Sequence, residues 1–171
     1  TILWGNGPDA LEFASYDGSN SITIFYSNIE GGQDSIITND NGTIIWGDGN
    51  IDVDPMFVDT ANGNYHLLAS SQLINAGHPD STDSDGTRAD MGAYPYLNNY
   101  SGDNGWHVSN NGSDETGDGD GGAPFASIQA GINFAEDGDS VTVMVGTYVE
   151  NINFRGRNIV VAGEETETTI V

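Results

Sequence analysis

Thr1-Ile2-Leu3-Trp4-Gly5-Asn6-Gly7 returns as Thr43-Ile44-Ile45-Trp46-Gly47-Asp48-Gly49, 42 residues further along the chain. Between the two lies Ser21-Ile22-Thr23-Ile24-Phe25-Tyr26-Ser27-Asn28, followed by Gly31-Gly32, so the three copies start 20 and 22 residues apart. That spacing is too short for a strand, a substantial helix and their loops, and it suits one coil of strands and turns. Each copy alternates apolar residues with period two, Ile22, Ile24 and Tyr26 falling on one side, before Gly, Asn and Asp interrupt it. A single rung of this kind cannot bury its own apolar face. The pattern therefore predicts rungs stacked into a parallel β-helix, with like residues in register along the axis. Trp4 and Trp46 occupy matched places in two copies and read as rung-core or turn-packing residues, with an exposed aromatic platform for sugar stacking as the competing role.

Composition narrows the partners. Among 171 residues there are 3 Arg, no Lys and 26 acids, a net charge of −23 and a pI near 4.1. Nucleic acid is excluded as a partner because phosphate binding needs clustered Lys and Arg, and an anionic membrane surface is disfavoured for the same reason. Eighteen Asp against 8 Glu, with 24 Gly, mark a chain rich in turns and poor in helix. No cysteine is present, which removes disulfides, thiolate metal sites and a Cys nucleophile. No apolar run reaches the length of a membrane span, so no membrane insertion is expected. The beginning at Thr1 and the strand-like end Thr169-Ile170-Val171 read as an excerpt of a longer protein.

From Asp52 the repeat gives way. Asp52-Val53-Asp54-Pro55-Met56-Phe57-Val58-Asp59, Asn64-Tyr65-His66-Leu67-Leu68, Leu73-Ile74-Asn75-Ala76-Gly77 and Asp83 to Tyr94 are separated by turn formers and read as an irregular cap closing the coil. Residues 97–105 read as a polar linker between two part-domains, 1–96 and 106–171. After it, Trp106-His107-Val108 reads as a strand, and Ser109 to Gly122 as a loop without an apolar side chain. Pro124 to Ala135 reads as the one helix, with Ser127 as N-cap, Phe125, Ile128, Ile132 and Ala135 along one face, and Asp137-Gly138 as its end. Val141–Val145, Tyr148–Phe154 and Asn158–Val161 read as three further strands, punctuated by Gly146 and Gly156. The fold class is all-β: pieces of right-handed parallel β-helix with one short N-cap helix in the second half.

These segments resemble secreted bacterial right-handed parallel β-helix proteins of the pectate-lyase-like superfamily. Residues 1–96, through Tyr26-Ser27-Asn28-Ile29-Glu30-Gly31-Gly32, Gly49-Asn50-Ile51-Asp52-Val53-Asp54-Pro55-Met56-Phe57 and Asp85-Gly86-Thr87-Arg88-Ala89-Asp90-Met91-Gly92-Ala93-Tyr94, resemble C-terminal rungs followed by a choice-of-anchor closing domain. Residues 106–171, through Val108-Ser109-Asn110-Asn111-Gly112-Ser113-Asp114, Pro124 to Ile132, Gly138-Asp139-Ser140-Val141-Thr142-Val143 and Gly146 to Ile152, resemble the N-terminal cap and first rungs of a second β-helix. The superfamily spans polysaccharide lyases, glycoside hydrolases, adhesins and structural stalks, so the resemblance implies a fold and a secreted or cell-surface location more than an activity.

Chemistry is sparse. A lyase of this kind needs a basic residue, and only Arg88, Arg155 and Arg157 are available. Arg88 reads as an ion-pairing or carbonyl-capping residue, and Arg155 and Arg157, flanking Gly156 in a turn, as solvent-facing. The acidic field would also repel an anionic polysaccharide. Asp52/Asp54 and Asp83/Asp85 are carboxylate pairs of the type hydrolases use, at a spacing that chance supplies in an Asp-rich chain. His66, His78 and His107 stand apart, without metal-ligand spacing, and read as structural. No catalytic residue is assigned. Calcium is the candidate cofactor, because closely spaced Asp, Asn and Gly in loops suit its six to eight oxygen ligands. Asp48, Asn50, Asp52 and Asp54 form one candidate stretch; Asp80, Asp83, Asp85 and Asp90, and Asp114, Glu115, Asp118 and Asp120, are the favoured ones.

The expectation is a non-catalytic structural or adhesive segment of a large secreted or cell-surface β-helix protein, contacting a polysaccharide or surface glycan. Two alternatives stand beside it. One is part of a carbohydrate-active enzyme, a polysaccharide lyase or glycoside hydrolase, with its catalytic rungs elsewhere. The other is a subunit that associates head to tail into an extracellular fibre.

Overall fold

The computed structural model describes residues 1–7, 9–15, 18–103, 105–165 and 169–170; Asn104 of the expected linker and Val171 of the expected last strand lie outside the described residues. The first turn of the coil runs through β1 (Ile2–Leu3), β2 (Leu11–Glu12) and β3 (Asn20–Ile24). The second runs through β4 (Asn28–Ile29), β5 (Ile36–Ile37) and β6 (Gly42–Trp46). Each strand pairs in parallel with its successor one turn on, β1 with β4, β2 with β5 and β3 with β6. Ile51 opens a third layer by bridging to Asn28. The result is a three-sided parallel β-solenoid.

Ladders of apolar residues fill its interior, because register puts Leu3 on Ile29, Leu11 on Ile36, Ile22 on Ile44 and Ile24 on Trp46. Phe13, Ile24, Ile29 and Ile36 are buried there, with Trp46 packed against them. The turns between strands are tied by asparagine amides that donate across layers: Asn39 to the Phe13 carbonyl, Asn41 to Ala14, and Asn50 to Ile24. The 22-residue spacing is thus one turn of the coil, Ser21 pairing with Thr43. The 20-residue spacing is not. Ile2 and Leu3 pair with Asn28 and Ile29, since Thr1–Trp4 lies on a different side of the coil from Ser21–Ile24. What the first and third copies share is a strand ending in a glycine turn.

Aromatic rings sit on glycines of the following turn. A Cβ on Gly47 would fall 2.0 Å from the Phe25 ring, one on Gly49 2.2 Å from Tyr26, and one on Gly42 2.3 Å from Phe13. The bare backbone is what lets each ring lie flat against its neighbour.

The closing segment begins with an antiparallel hairpin, β7 (Phe57–Asp59) and β8 (Asn64–Leu67), joined by a 3-10 turn that the Asp59 carboxylate caps through the Asn62 N–H. It lies against the outer side of the β1–β4–Ile51 ladder. Asn28, fully buried, exchanges hydrogen bonds with the backbone of Val53 in both directions, at 2.9 and 3.0 Å. Ile2, Ile51, Val53 and Phe57 pack onto a cluster that includes Leu67, Leu73, Ile74 and Met91.

In the second half β9 (Trp106–Val108) begins as the sequence suggests. The helix is shorter than expected: α1 spans Ile128–Phe134, with the Ser127 hydroxyl accepting the Ala130 N–H as N-cap. Phe125 lies outside it because its backbone bridges to Val108 as an extra strand residue. All seven helical residues are buried, not one face alone. Next come β10 (Ser140–Val143), β11 (Gly146–Thr147), β12 (Val160–Gly163) and β13 (Thr169–Ile170). β10 pairs in parallel with β9 on one side and β12 on the other, and β11 pairs with β13. Tyr148–Phe154 forms no strand, because its polar groups serve the helix: the Glu150 carboxylate accepts the N–H groups of Ile128 and Gln129, and the Asn153 N–H donates to Gln129 Oε1. The described residues contain no helix long and apolar enough to cross a membrane.

One apolar cluster joins the closing segment to the second half, running from Leu67, Leu73, Ile74 and Met91 to Trp106, Phe125, Ile132, Phe134 and Val141. Gly131 sets the approach of α1 to the sheet: a Cβ there would meet Val141 at 2.6 Å and Val108 at 3.1 Å, both fully buried. Helix propensity favours alanine by about 1 kcal/mol, yet overpacking a rigid core by a methyl group costs about 1–3 kcal/mol. Gly131→Ala is therefore expected to lower stability in urea unfolding by about 1 kcal/mol; an unchanged or raised midpoint would show that the helix can move away freely.

Candidate functional site

A groove of about 550 Å³ opens where the first turn, the β7–β8 hairpin and the loop at Gly92–Tyr94 meet. Trp4, Phe57, Tyr65 and Tyr94 line it, together with Ile2, Leu67 and the polar Thr1 and Asn6. Tyr65 and Tyr94 are each 49% exposed, unusual for rings so well placed to pack. Phe57 meets Tyr65 edge to face at 5.4 Å, and Tyr94 stacks on His66 at 4.8 Å with planes 28° apart. These contacts hold the rings upright while leaving faces open. Period-two alternation along β8 puts Tyr65 in this groove and His66 in an adjoining one of about 410 Å³, which Tyr96, Leu97, Glu115 and Asp118 also line. Leu67 borders both.

No family model, curated protein or solved structure matches this chain.

The two tryptophans singled out for sugar stacking are separated. Trp4 stands in the aromatic groove, whereas Trp46 lies in register with Ile24 and packs into the solenoid interior. Phe57, Tyr65 and Tyr94 are wall residues that sequence reading placed in the cap without a role. A signal was present, in aromatic residues scattered through a segment otherwise made of turn formers. The groove itself is built from three stretches distant in sequence, which no local pattern reveals.

The acidic stretches are engaged with backbone. Asp83 accepts the Asp90 N–H at 2.8 Å, and Asp85 accepts the Thr87 N–H and hydroxyl and the Asn98 N–H. Asp90 accepts N–H groups from Asn75 and Tyr96, each at 2.7 Å. Asp114 holds the N–H groups of Ala126 and Ser127, Asp118 that of Asp120, and Asp120 that of Gly122. Asp80 is exposed and lies 4.0 Å from His78. In the earlier stretch, Asp52 accepts the Gly31 N–H and Asp54 the Met56 N–H. Burial pushes the Asp85 carboxyl up, but the bonds from Asn98 and Thr87 outweigh it and leave the pKa below the ordinary value. Asp90 goes the other way: burial, with the charges of Asp83 and Asp85 adding to it, raises its pKa to about 6 despite its two N–H donors.

Among the described residues no three carboxylates or imidazoles are gathered as a metal ion would need. The expected result of chelation follows from this arrangement. Excess EDTA should leave Tm unchanged, since Asp83, Asp85, Asp90, Asp114, Asp118 and Asp120 already close their turns on backbone N–H groups. A fall of about 5–10 °C, the scale of losing a site held at 100 times its Kd, would establish structural calcium instead.

All three arginines donate to main-chain carbonyls. Arg88 gives Nε and Nη2 to Gly77, with its guanidinium 5.7 Å from the Tyr26 ring centre, a carbonyl-capping role. Arg155 and Arg157 depart from the solvent-facing expectation. Arg155 Nη1 donates to Ile74 O at 2.7 Å, and Arg157 Nη1 caps the end of α1 through Ile132, Asn133 and Ala135. Burial, and then the neighbouring Arg157 and Arg88, lowers the Arg155 pKa to about 10. The turn at Gly156 folds both side chains back toward the helix, where Arg157 meets three carbonyls of its last turn and Arg155 the Asn133 side chain and Ile74 carbonyl. His66 and His78 each pack against a tyrosine, and His107 lies within β9 with a buried Nδ1 that has no hydrogen-bond partner among the described residues.

Proposed function

We propose that this chain is a non-catalytic structural or adhesive segment of a larger secreted or cell-surface β-helix protein of the pectate-lyase-like kind, with residues 1–96 as C-terminal rungs and a choice-of-anchor closing domain, and that it contacts carbohydrate. The observation that carries this reading is the aromatic groove. Half-exposed Tyr65 and Tyr94 and partly buried Trp4 and Phe57 face one cavity of about 550 Å³, where flat rings can stack on the apolar faces of sugars. Catalysis gains no support from the same geometry. The arginines that a lyase would use donate to carbonyls, and the carboxylate pairs Asp52/Asp54 and Asp83/Asp85 hold turns.

The test is binding without turnover. On an oligosaccharide array followed by titration calorimetry, the wild type is expected to retain intact glycan. Trp4→Ala and Tyr94→Ala are each expected to weaken binding about tenfold or more, since anchoring aromatic rings dominate such contacts. Release of shortened products would overturn the non-catalytic reading, and affinity unchanged in both variants would remove the groove from it.

A further inference from the structure

We infer that a second cavity, between the closing segment and the end of α1, binds a small zwitterion of the amino-acid class, its carboxylate held by Arg88 and Arg157 and its ammonium by Glu136 and Asp137. These four side chains line one space of about 380 Å³ together with Thr87 and Phe134. It shares no residue with the aromatic groove and does not depend on the carbohydrate reading. Unmatched charge is the first argument. The chain has 3 arginines against 26 acids, yet among the described residues no carboxylate oxygen comes within 4.0 Å of an arginine nitrogen, the one ion pair being His78 with Asp80. The three arginines are nevertheless gathered, since Arg157 and Arg88 add to burial in lowering the Arg155 pKa. Burial likewise lowers the Arg157 pKa, with Arg88 adding to the fall and the charges of Glu136 and Asp137 opposing it. Opposite charges thus lie within reach of one another around a single cavity without meeting.

Spare bonding capacity is the second. Arg88 spends Nε and Nη2 on the Gly77 carbonyl and Arg157 spends Nη1 on the end of α1. That leaves Nη1 of the first, and Nε and Nη2 of the second, without an acceptor among the described residues. Asp137 engages Oδ1 with the Asn158 N–H and keeps Oδ2, and no described group donates to the Glu136 carboxylate, which lies on an exposed residue. Guanidinium N–H groups suit a carboxylate, and carboxylates suit an ammonium. The charges of the lining cancel, which chooses a ligand that carries both signs. A lone anion would meet the two acids and the field of a net charge of −23, and a lone cation would leave the guanidinium N–H groups unused.

The probes are L-alanine, β-alanine and γ-aminobutanoate, zwitterions whose charges stand progressively further apart, with propionate and propylamine as carriers of one charge each. Each is titrated into the isotope-labelled full chain at neutral pH, followed by the backbone and arginine Nε–H signals in NMR spectra. At least one zwitterion is expected to bind about tenfold tighter than either single-charge probe and to move the Arg88 and Arg157 signals. Glu136→Gln should weaken that zwitterion about fivefold with Tm unchanged, and Arg88→Gln at least as much. Should Arg88→Gln fail to fold, Glu136→Gln alone decides. Equal or tighter binding of propionate or of propylamine overturns the assignment. So does the absence of any shift with all three zwitterions, which would leave water bridging the charges. Affinity that Glu136→Gln leaves as in wild type would place the zwitterion elsewhere and overturn it as well.

Discussion

Asn133→Ala is expected to lower the unfolding free energy by about 3–5 kcal/mol, which for a chain of this length is roughly 10 °C in Tm. The side chain is fully buried in the last turns of α1 and uses every polar atom it has. Its Nδ2 donates to the carbonyls of Ala69 and Ser71 at 2.9 and 2.8 Å, and its Oδ1 accepts from Gln129 Nε2 at 3.0 Å and Arg155 Nη1 at 3.3 Å. Ala69 and Ser71 are themselves buried, so truncation leaves two carbonyls without this donor and water has no ready path to replace it. Buried polar groups stripped of their partners cost about 1–3 kcal/mol each. Gln129→Ala should cost less, because Gln129 binds Asn133 and Asn153 but neither carbonyl. The same bonds tie the closing segment to the second half. Differential scanning calorimetry is therefore expected to show a single transition in the wild type. A loss under 1 kcal/mol in the variant would mean that the other bonds across the junction, such as Arg155 to Ile74 O, hold the two segments without Asn133.

The second large effect is on pH. Asp90 has a folded pKa of about 6 against an ordinary 3.8, so between those values the folded chain binds a proton that the unfolded chain does not. Stability from this group is then fully present at low pH and is lost as pH rises through about 6. The difference corresponds to about 2–3 kcal/mol at neutral pH. Two carboxyls oppose it at lower pH. Asp59, through its bonds with Asn62, and Asp85, through Asn98 and Thr87, sit below the ordinary value, and their contribution is lost as pH falls through the carboxylate range. Relief of repulsion among 26 acids acts in the same direction as Asp90. Tm is thus expected to rise from pH 7 to a maximum near about pH 5 and to fall below it. In Asp90→Asn the rise should shrink by at least half. A wild-type Tm that is flat or falling from pH 7 to 5 would contradict the burial of this carboxylate.

What the chain discloses in one dimension is what local chemistry decides. Ile22-Thr23-Ile24 and Ile44-Ile45-Trp46 stack as their period-two pattern implies, and Ser127 caps α1 as its position before Ile128 implies. Tyr148–Phe154 looks like a strand but is not one, because Glu150 and Asn153 serve the helix across a distance that pattern reading does not see. Arg155 and Arg157 look exposed beside a turn glycine. Their true partners are carbonyls of Ile74 and the α1 terminus, 81 and 22–25 positions away. The aromatic groove has the same character, since Trp4, Tyr65 and Tyr94 meet only once the closing segment lies on the coil.

The seating of rings on glycines gives the coil a direction that its repeats alone would not. Phe25 belongs to one turn and its seat, Gly47, to the next, and the register that places Ile24 beside Trp46 makes residues 25 and 47 direct neighbours. A tandem copy of residues 20–41 inserted before Gly42 would keep every apolar ladder in step, yet it would lay one Phe25 on another. Lengthening this coil by copying that turn therefore replaces a ring seated on glycine by a ring stacked on a ring, so the turns differ in kind according to their place in the order.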